Sequence, residues 1–496
     1  MVKITKIEIK NFKAFRGPDI INLNEDSQKG QNLLLYGENG SGKTSLYEAL
    51  KFFLESSEGI HQFGDHRNIF TDETDKGYIK LHFTPDPKLN KEIYEWSENI
   101  QNDTKIQPII DASKAKGFLD YKDLLKTNYL HHGRNSVNVF DLLINTLLKN
   151  VVNDQTFPTQ SFSEQWDEIS RAVPLEQGAT QEITTLEQQL EIFNTGLENK
   201  LKDLETDAND ILLKFGDENT DIKIKLDFEK KIKFNTENNT LNPQQILLKV
   251  NFAGKDLEED LAYQRFLNEA KLSAIALSIF FAGFKLQPPS DLRILALDDA
   301  LIGLDMSNRL PVIDILDEKD FKNYQIFLMT YDRAFYEMVK QRKFQKFKDK
   351  QWKSAELYRG KINGYEIPIY AEEEKYIDKA KEYLKANDYK ACAVYVRTAF
   401  EVIIKRFCEE KDIWVKYREN PKDLTSNDFW IRIVRLANNG RYNLPQTLIN
   451  KIGSAQKFTL NELCHATFAN IYRKELEDAI NAVEELGDTL VSVNTA

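Results

Sequence analysis

Cysteine is nearly missing. Three in 496 residues (Cys392, Cys408 and Cys464) are too few for a disulfide scaffold. With His465 beside the third, they also lack the paired spacing of a zinc site, so core thiols are expected. Proline is sparse at 13, as in an ordinary soluble protein. No apolar run approaches the ~20 residues of a membrane span. The longest, Ala274–Phe284, is interrupted by Ser278 and Gly283. The opening MVKITKIEIKNF alternates like a strand and has no signal-peptide core, so a reducing cytoplasm is expected. An excess of positive charge is missing too. With 67 Lys and Arg against 78 Asp and Glu, the net charge is −11. Any nucleic-acid contact must then be a local patch. The length allows two to four domains.

The strongest signal present is NLLLYGENGSGKTSLYEALKFFL, Asn32–Leu54. A short apolar run fit for a strand leads into Gly37, Glu38, Asn39, Gly40, Ser41, Gly42, Lys43 and Thr44, the full phosphate-loop spacing. Ser45 onward has helical apolar spacing. Glycines let consecutive N–H groups converge on phosphate, and the helix N-terminus adds positive partial charge. Lys43 suits the β- and γ-phosphates, and the Thr44 hydroxyl suits Mg²⁺. Binding of ATP with Mg²⁺ is expected.

Ahead of the loop, ITKIEIKNFKAFRGPDIINL places two alternating strands around Asn11-Phe12-Lys13. This wording, with GENGSGKTSLYEAL behind it, resembles the RecF, SMC and Rad50 ATPases of the ABC type. The resemblance implies that a basic residue of the hairpin helps hold the nucleotide, with Lys13 and Arg16 as candidates. A solvated edge hairpin remains open for either.

The second half of such a site follows in DLRILALDDALIGLDMSNR. Leu292–Leu297 reads as a strand ending in Asp298 and Asp299, at the carboxyl end where α/β sheets bind ligands. The resemblance makes Asp298 the Mg²⁺-side acid. It makes Asp299 the base that polarises water, one methylene shorter than the usual Glu. Gly303-Leu304-Asp305 matches the D-loop. Thr330-Tyr331-Asp332, after the strand YQIFLMT, puts Tyr331 where the family has its switch histidine. FLNEAKLSAIALSIFFAGF, from Phe266, occupies the place of the signature helix. Asn268 then stands at the Ser position and Ala270 at the Gly position, while Asn268 also suits an N-cap. No glutamine marks the Q-loop; GFLDYKDLL, Gly117–Leu125, is where that loop belongs. These departures at Asn268, Ala270, Asp299 and Tyr331 imply slow turnover more than lost ATP binding.

Between the halves, Ile183, Leu186, Leu190, Phe193, Leu197, Leu201, Leu204, Ala208 and Ile211 step by threes and fours. A short coiled-coil arm is expected, packed against another subunit or back on its own domain. The tract KQRKFQKFKDKQWK, residues 340–353, interleaves aromatics with basic residues. It reads as a nucleic-acid track or as an amphipathic helix with buried rings. From about Ala371 the pattern is helical and loosely resembles HEPN-type domains. His465 lacks the Arg of their nuclease motif, although a nuclease there stays open as an alternative.

The expected fold is therefore α/β. An ATPase head is split into lobes at 1–160 and 219–370, with a helical arm at 161–218 and a helical bundle at 371–496. The family resemblance implies two heads sandwiching ATP. A compact head without its own effector is most similar to the ATPase subunits of two-component anti-phage systems of the Septu type, retron-linked versions included (PtuA-like), and secondly of the PARIS type (AriA-like). Such a subunit controls a separate nuclease. A RecF-like repair ATPase binding DNA directly is the competing expectation.

Overall fold

The computed structural model describes residues 1–24, 30–115, 117–123, 137–156, 158–173, 180–215, 221–257, 263–341, 351–362, 364–372, 376–415, 425–456 and 473–492. The chain divides into two units, Met1–Glu372 and Glu373–Ala496. Among the described residues no helix is long and apolar enough to cross a membrane.

The first unit opens with β1 (Ile4–Lys10), β2 (Asp19–Asn22), β3 (Asn32–Gly37), the helix α1 (Lys43–Glu55), β4 (Tyr78–Phe83), β5 (Ile93–Ser97) and β6 (Gly117–Asp120). The long helix α2 (Thr180–Leu213) precedes β7 (Ile222–Asp227), β8 (Leu247–Phe252) and α3 (Glu269–Lys285). Then come β9 (Ile294–Asp298), α4 (Met306–Leu316), β10 (Gln325–Thr330), α5 (Arg333–Lys340), β11 (Trp352–Ile362) and β12 (Tyr365–Glu372). Strands β2, β1, β4 and β5 form an antiparallel sheet, whereas β12, β11, β3, β10, β9 and β6 form the central one. That sheet is parallel apart from β12.

Both faces of the central sheet are covered, which is why its strands read as unbroken apolar runs. Successive side chains leave a strand on opposite faces. Leu33, Leu35, Ile294, Ala296 and Phe118 accordingly pack on the α1 side. Leu34, Leu295, Leu297 and Leu119 join the core under α2 and α3 instead. Gln325 ties the two sheets together. It is fully buried, accepts from the Ile4 amide at 2.7 Å and donates to the carbonyls of Ile4 and Gln31 at 2.8 and 2.9 Å.

Of the two alternatives left open for the stripe on α2, packing back on its own domain is the one observed: Leu186, Leu190, Phe193, Leu197, Leu201, Leu204, Ala208 and Ile211 are buried in the same core as α3. Gly196 marks the closest approach, since a Cβ there would fall 1.9 Å from Asn153 Oδ1. In the basic–aromatic tract, residues 342–350 lie outside the described residues. Trp352 and Lys353 are buried at the start of β11 and cannot stack on bases.

The second unit contains α6 (Tyr376–Lys385), α7 (Tyr389–Glu410), α8 (Ser426–Asn438), α9 (Gln446–Ala455) and α10 (Arg473–Ser492) around their own core. Asn387 takes a positive φ and Asp388 caps α7, which makes the turn between the first two helices. Cys392 and Cys408 are core thiols, pushed up to about 11 by burial. Cys464 and His465 lie outside the described residues.

Candidate functional site

Between β3 and α1 the chain turns through Gly40 and Gly42 at φ 81° and 105°. At Gly42 a side chain is excluded twice, by the left-handed backbone and by Pro368 of β12, 2.7 Å from where a Cβ would sit. Glu38, Asn39 and Gly40 form the exposed rim, while Ser41 is buried with a hydroxyl that has no hydrogen-bond partner among the described residues. Lys43 is buried, unusual for a lysine. Its Nζ donates to the carbonyls of Gly37 at 2.7 Å and Glu38 at 3.3 Å, and lies 3.4 Å from Asp299 Oδ2. The Thr44 hydroxyl donates to Asp298 Oδ2 at 2.6 Å. Four side chains separated by some 250 residues are thus brought together by β3 and β9, with β10 between them.

At the end of β9 the two acids diverge. Asp298 continues the strand toward α1 and is 3% exposed, with Oδ1 unpartnered among the described residues. Burial pushes its carboxyl up to about 6, against the pull of the Thr44 hydroxyl. Asp299 turns at φ 50°, a left-handed conformation that Asp tolerates better than most residues. Its Oδ1 accepts the Tyr331 amide at 2.8 Å, and burial raises its pKa against the pull of Lys43.

These residues fit a hydrated divalent cation beside a phosphate chain. Asp298 offers a free buried carboxylate oxygen, Thr44 a hydroxyl, and Lys43 a fixed positive charge. Among the described residues no group of three or more His, Cys, Asp and Glu converges to hold a metal alone. A Mg²⁺ ion here would draw its remaining ligands from phosphate and water, the usual Mg²⁺ arrangement.

The other expected residues are spread around this centre. Phe12 and Phe15 of the NFKAF stretch are core anchors, with Phe12 ringed by Phe52, Phe63 and Trp96. The Nζ of Lys13 pairs with Glu48 of α1 at 2.5 Å and lies over the Phe52 ring. Arg16 stacks on Tyr365 of β12 at 4.6 Å. The Ser45 hydroxyl faces the Ala14 amide at 3.4 Å. Asn268 caps α3, accepting the Lys271 amide at 2.9 Å, and is exposed; Ala270 lies in the first turn. Asp305 caps α4 through the Asn308 amide at 3.0 Å. Gly303 sits against α3, where a Cβ would meet Ser273 Oγ at 2.4 Å.

Two further acids lie in segments singled out above but without a role assigned to them. Asp332 caps α5 and accepts from Arg309 at 2.5 Å, fixing α4 and α5 around Tyr331. Asp120, at the end of β6, is in register with Asp298. Its only sequence signal is its place behind the apolar GFL.

Residues 3–354 match the family described as RecF/RecN/SMC N terminal domain. No curated protein matches. Among solved structures, the chain is similar to the Smc head domain of Pyrococcus furiosus with an extended coiled coil, bound to the C-terminal domain of ScpA. The identity is 14%, over 78% of this chain and 100% of that one, with a TM-score of 0.42. The SMC head domain of Thermotoga maritima is similar at 13% identity, over 75% of this chain and 99% of that one, with a TM-score of 0.34. With the family match spanning most of the first unit and the phosphate loop and paired acids assembled within it, the chain belongs to the RecF/RecN/SMC family of ATPases.

Proposed function

We propose that this head binds ATP with Mg²⁺ across Gly37–Ser45 and hydrolyses it slowly, and that ATP drives two heads together to govern a separate nuclease in anti-phage defence. The convergence of Lys43, Thr44, Asp298 and Asp299 carries the reading. Lys43 neutralises the β- and γ-phosphates, and the N–H groups of the loop and of α1 receive their oxygens. Thr44 and Asp298 hold the cation, which supplies charge neutralisation at the phosphates. Asp299 orients the attacking water and accepts its proton. Slow turnover follows from its short side chain and its present bonds to Lys43 and the Tyr331 amide. Tyr331 itself offers no imidazole. Lys13 and Arg16 border the loop, and Asp305 steadies the segment beyond the acids.

In the associated state, the capped N-terminus of α3 meets the γ-phosphate bound to the opposite head, with Asn268 and Ala270 presenting donors. The helical second unit holds the effector. Trp414, 85% exposed after α7, is the residue type that anchors protein interfaces. Lys43→Ala tests the site: nucleotide affinity should fall by about two orders of magnitude or more, the loss of a charge-assisted contact to phosphate, with an unchanged circular dichroism spectrum. Wild-type affinity in that variant refutes the assignment. Co-purification with neighbouring gene products, followed by mass measurement, tests the effector. Tight, salt-sensitive DNA binding by the isolated chain would point to direct DNA repair instead.

A further inference from the structure

In the second unit, helices α8 and α9 leave a groove of about 930 Å³ between them. Ile431, Val434, Arg435 and Asn438 line it from α8, at the i, i+3, i+4 and i+7 positions of one helical face. Ile449, Asn450 and Gly453 line it from α9. The floor is apolar: Val434 and Ile449 pack on the core of the unit, and Ile431 is left 46% exposed. Arg435, Asn438 and Asn450 stand exposed along the margins. An apolar trough with polar margins is the form in which proteins receive an amphipathic helix.

Its arginines set this face apart from the rest of the unit. On α7 and α10, Arg397, Arg406 and Arg473 each pair with the glutamate four residues on, at 3.0, 3.0 and 2.9 Å. Arg432 and Arg435 of α8, and Arg441 just beyond it, pair with no carboxylate among the described residues. The Nε of Arg432 is also buried, without a hydrogen-bond partner among those residues. No acidic side chain is among the described residues that line the groove. In a chain of net charge −11 this is a local exception, and it favours an anionic partner by charge complementarity. A carboxylate brought to these guanidinium groups would meet donors that the fold leaves unused.

Nucleic acid fits this surface poorly. A strand track needs exposed rings on which bases stack, whereas Trp430, the aromatic residue lining this groove, is only 5% exposed. We infer that the α8–α9 groove docks an acidic amphipathic helix of a protein partner. Its apolar stripe lies on Ile431, Val434 and Ile449, and its carboxylates meet Arg435 and Arg432. The inference rests on the effector-holding role proposed for the second unit and gives that role a place.

The probe is a fluorescein-labelled amphipathic peptide of about four helical turns, with leucines spaced i, i+3, i+4 and i+7 and glutamates on the flanks. In fluorescence anisotropy the full chain should bind it saturably, and should not bind the counterpart with lysine for glutamate. Arg435→Glu should weaken binding at least tenfold, because it sets like charges against each other. Gly453→Leu should do the same by filling the groove. A Cβ at Gly453 meets nothing within 4 Å, and leucine favours the helix that glycine weakens. Neither change should alter the circular dichroism spectrum. Wild-type peptide affinity in either folded variant overturns the inference, and so does a wild-type chain that binds no peptide. Tighter, Arg435-dependent binding of a labelled single-stranded oligonucleotide overturns it in favour of nucleic acid. Dissociation of an oligomer by Gly453→Leu in sedimentation overturns it in favour of a second copy. If a partner co-purifies equally with the wild type and both variants, the second unit holds it elsewhere and the groove alone fails. If no partner co-purifies although the peptide behaves as expected, the effector reading fails and the groove stands.

Discussion

The backbone amide of Tyr331 donates to Asp299 Oδ1 at 2.8 Å, while the other oxygen of the same carboxylate lies 3.4 Å from Lys43. Whatever side chain stands at 331, the end of β10 therefore fixes the direction of the acid that follows β9. Asp299→Asn keeps an acceptor for that amide and removes the charge. Phosphate release should fall at least a hundredfold, within the usual range for a lost general base, while ATP affinity holds or improves. Retained hydrolysis would exclude Asp299 as the group that activates water.

Asn268 separates a cap from a contact between heads. Asp caps as well as Asn, so Asn268→Asp should leave the melting temperature of the isolated chain unchanged. If α3 meets a γ-phosphate, the new carboxylate should abolish ATP-dependent dimerisation in light scattering. Intact association would leave Asn268 with its cap alone.

Asp298 makes the apo chain pH-sensitive. Its folded carboxyl titrates near 6 against an ordinary 3.8. The folded state therefore holds the proton longer, and apo stability should decrease as pH rises between those values. By linkage the effect is about 3 kcal/mol at most. Asp298→Asn should flatten that part of the melting-temperature profile and stabilise the apo chain at neutral pH. The same carboxylate must be ionised to hold a cation, so wild-type Mg²⁺ affinity should weaken as pH falls through 6. A flat profile in the wild type would remove Asp298 from the balance.

Burial of the α2 stripe gives a prediction about stability rather than chemistry. Leu197 is fully buried against the α3 core, so Leu197→Ala should cost about 2–5 kcal/mol. A free arm would lose only a few tenths. Urea unfolding of the two proteins distinguishes these outcomes.

What the sequence made legible was whatever has a fixed local spacing. Gly37 to Thr44 must be contiguous to fold around phosphate, and Asp298 must end an apolar strand, so both stood out. The α2 stripe declared a buried face but not the partner, because periodicity is one-dimensional and the same leucines serve another chain or their own α3. Trp352 and Lys353 looked like a basic–aromatic track because nothing local reveals that β11 pairs with β3, more than 300 residues earlier. Asp120 gained meaning only through its register with Asp298. The pairing of Lys13 with Glu48 follows from a left-handed turn at Asn11 and Lys13, which the sequence did not announce.

The position of β3 has a consequence for biosynthesis. Its two neighbours in the sheet are β10 and β11, so the strand that delivers the phosphate loop has no hydrogen-bonded partner strand until residues 325–357 exist. At 5–20 residues per second, about 290 residues of further synthesis take roughly 15–60 s. During that interval an apolar strand, Leu33–Leu35, waits with both edges open, a target for chaperones or for a second nascent chain. Synonymous changes that slow translation between residues 37 and 325 should therefore lower the soluble yield without altering a single side chain.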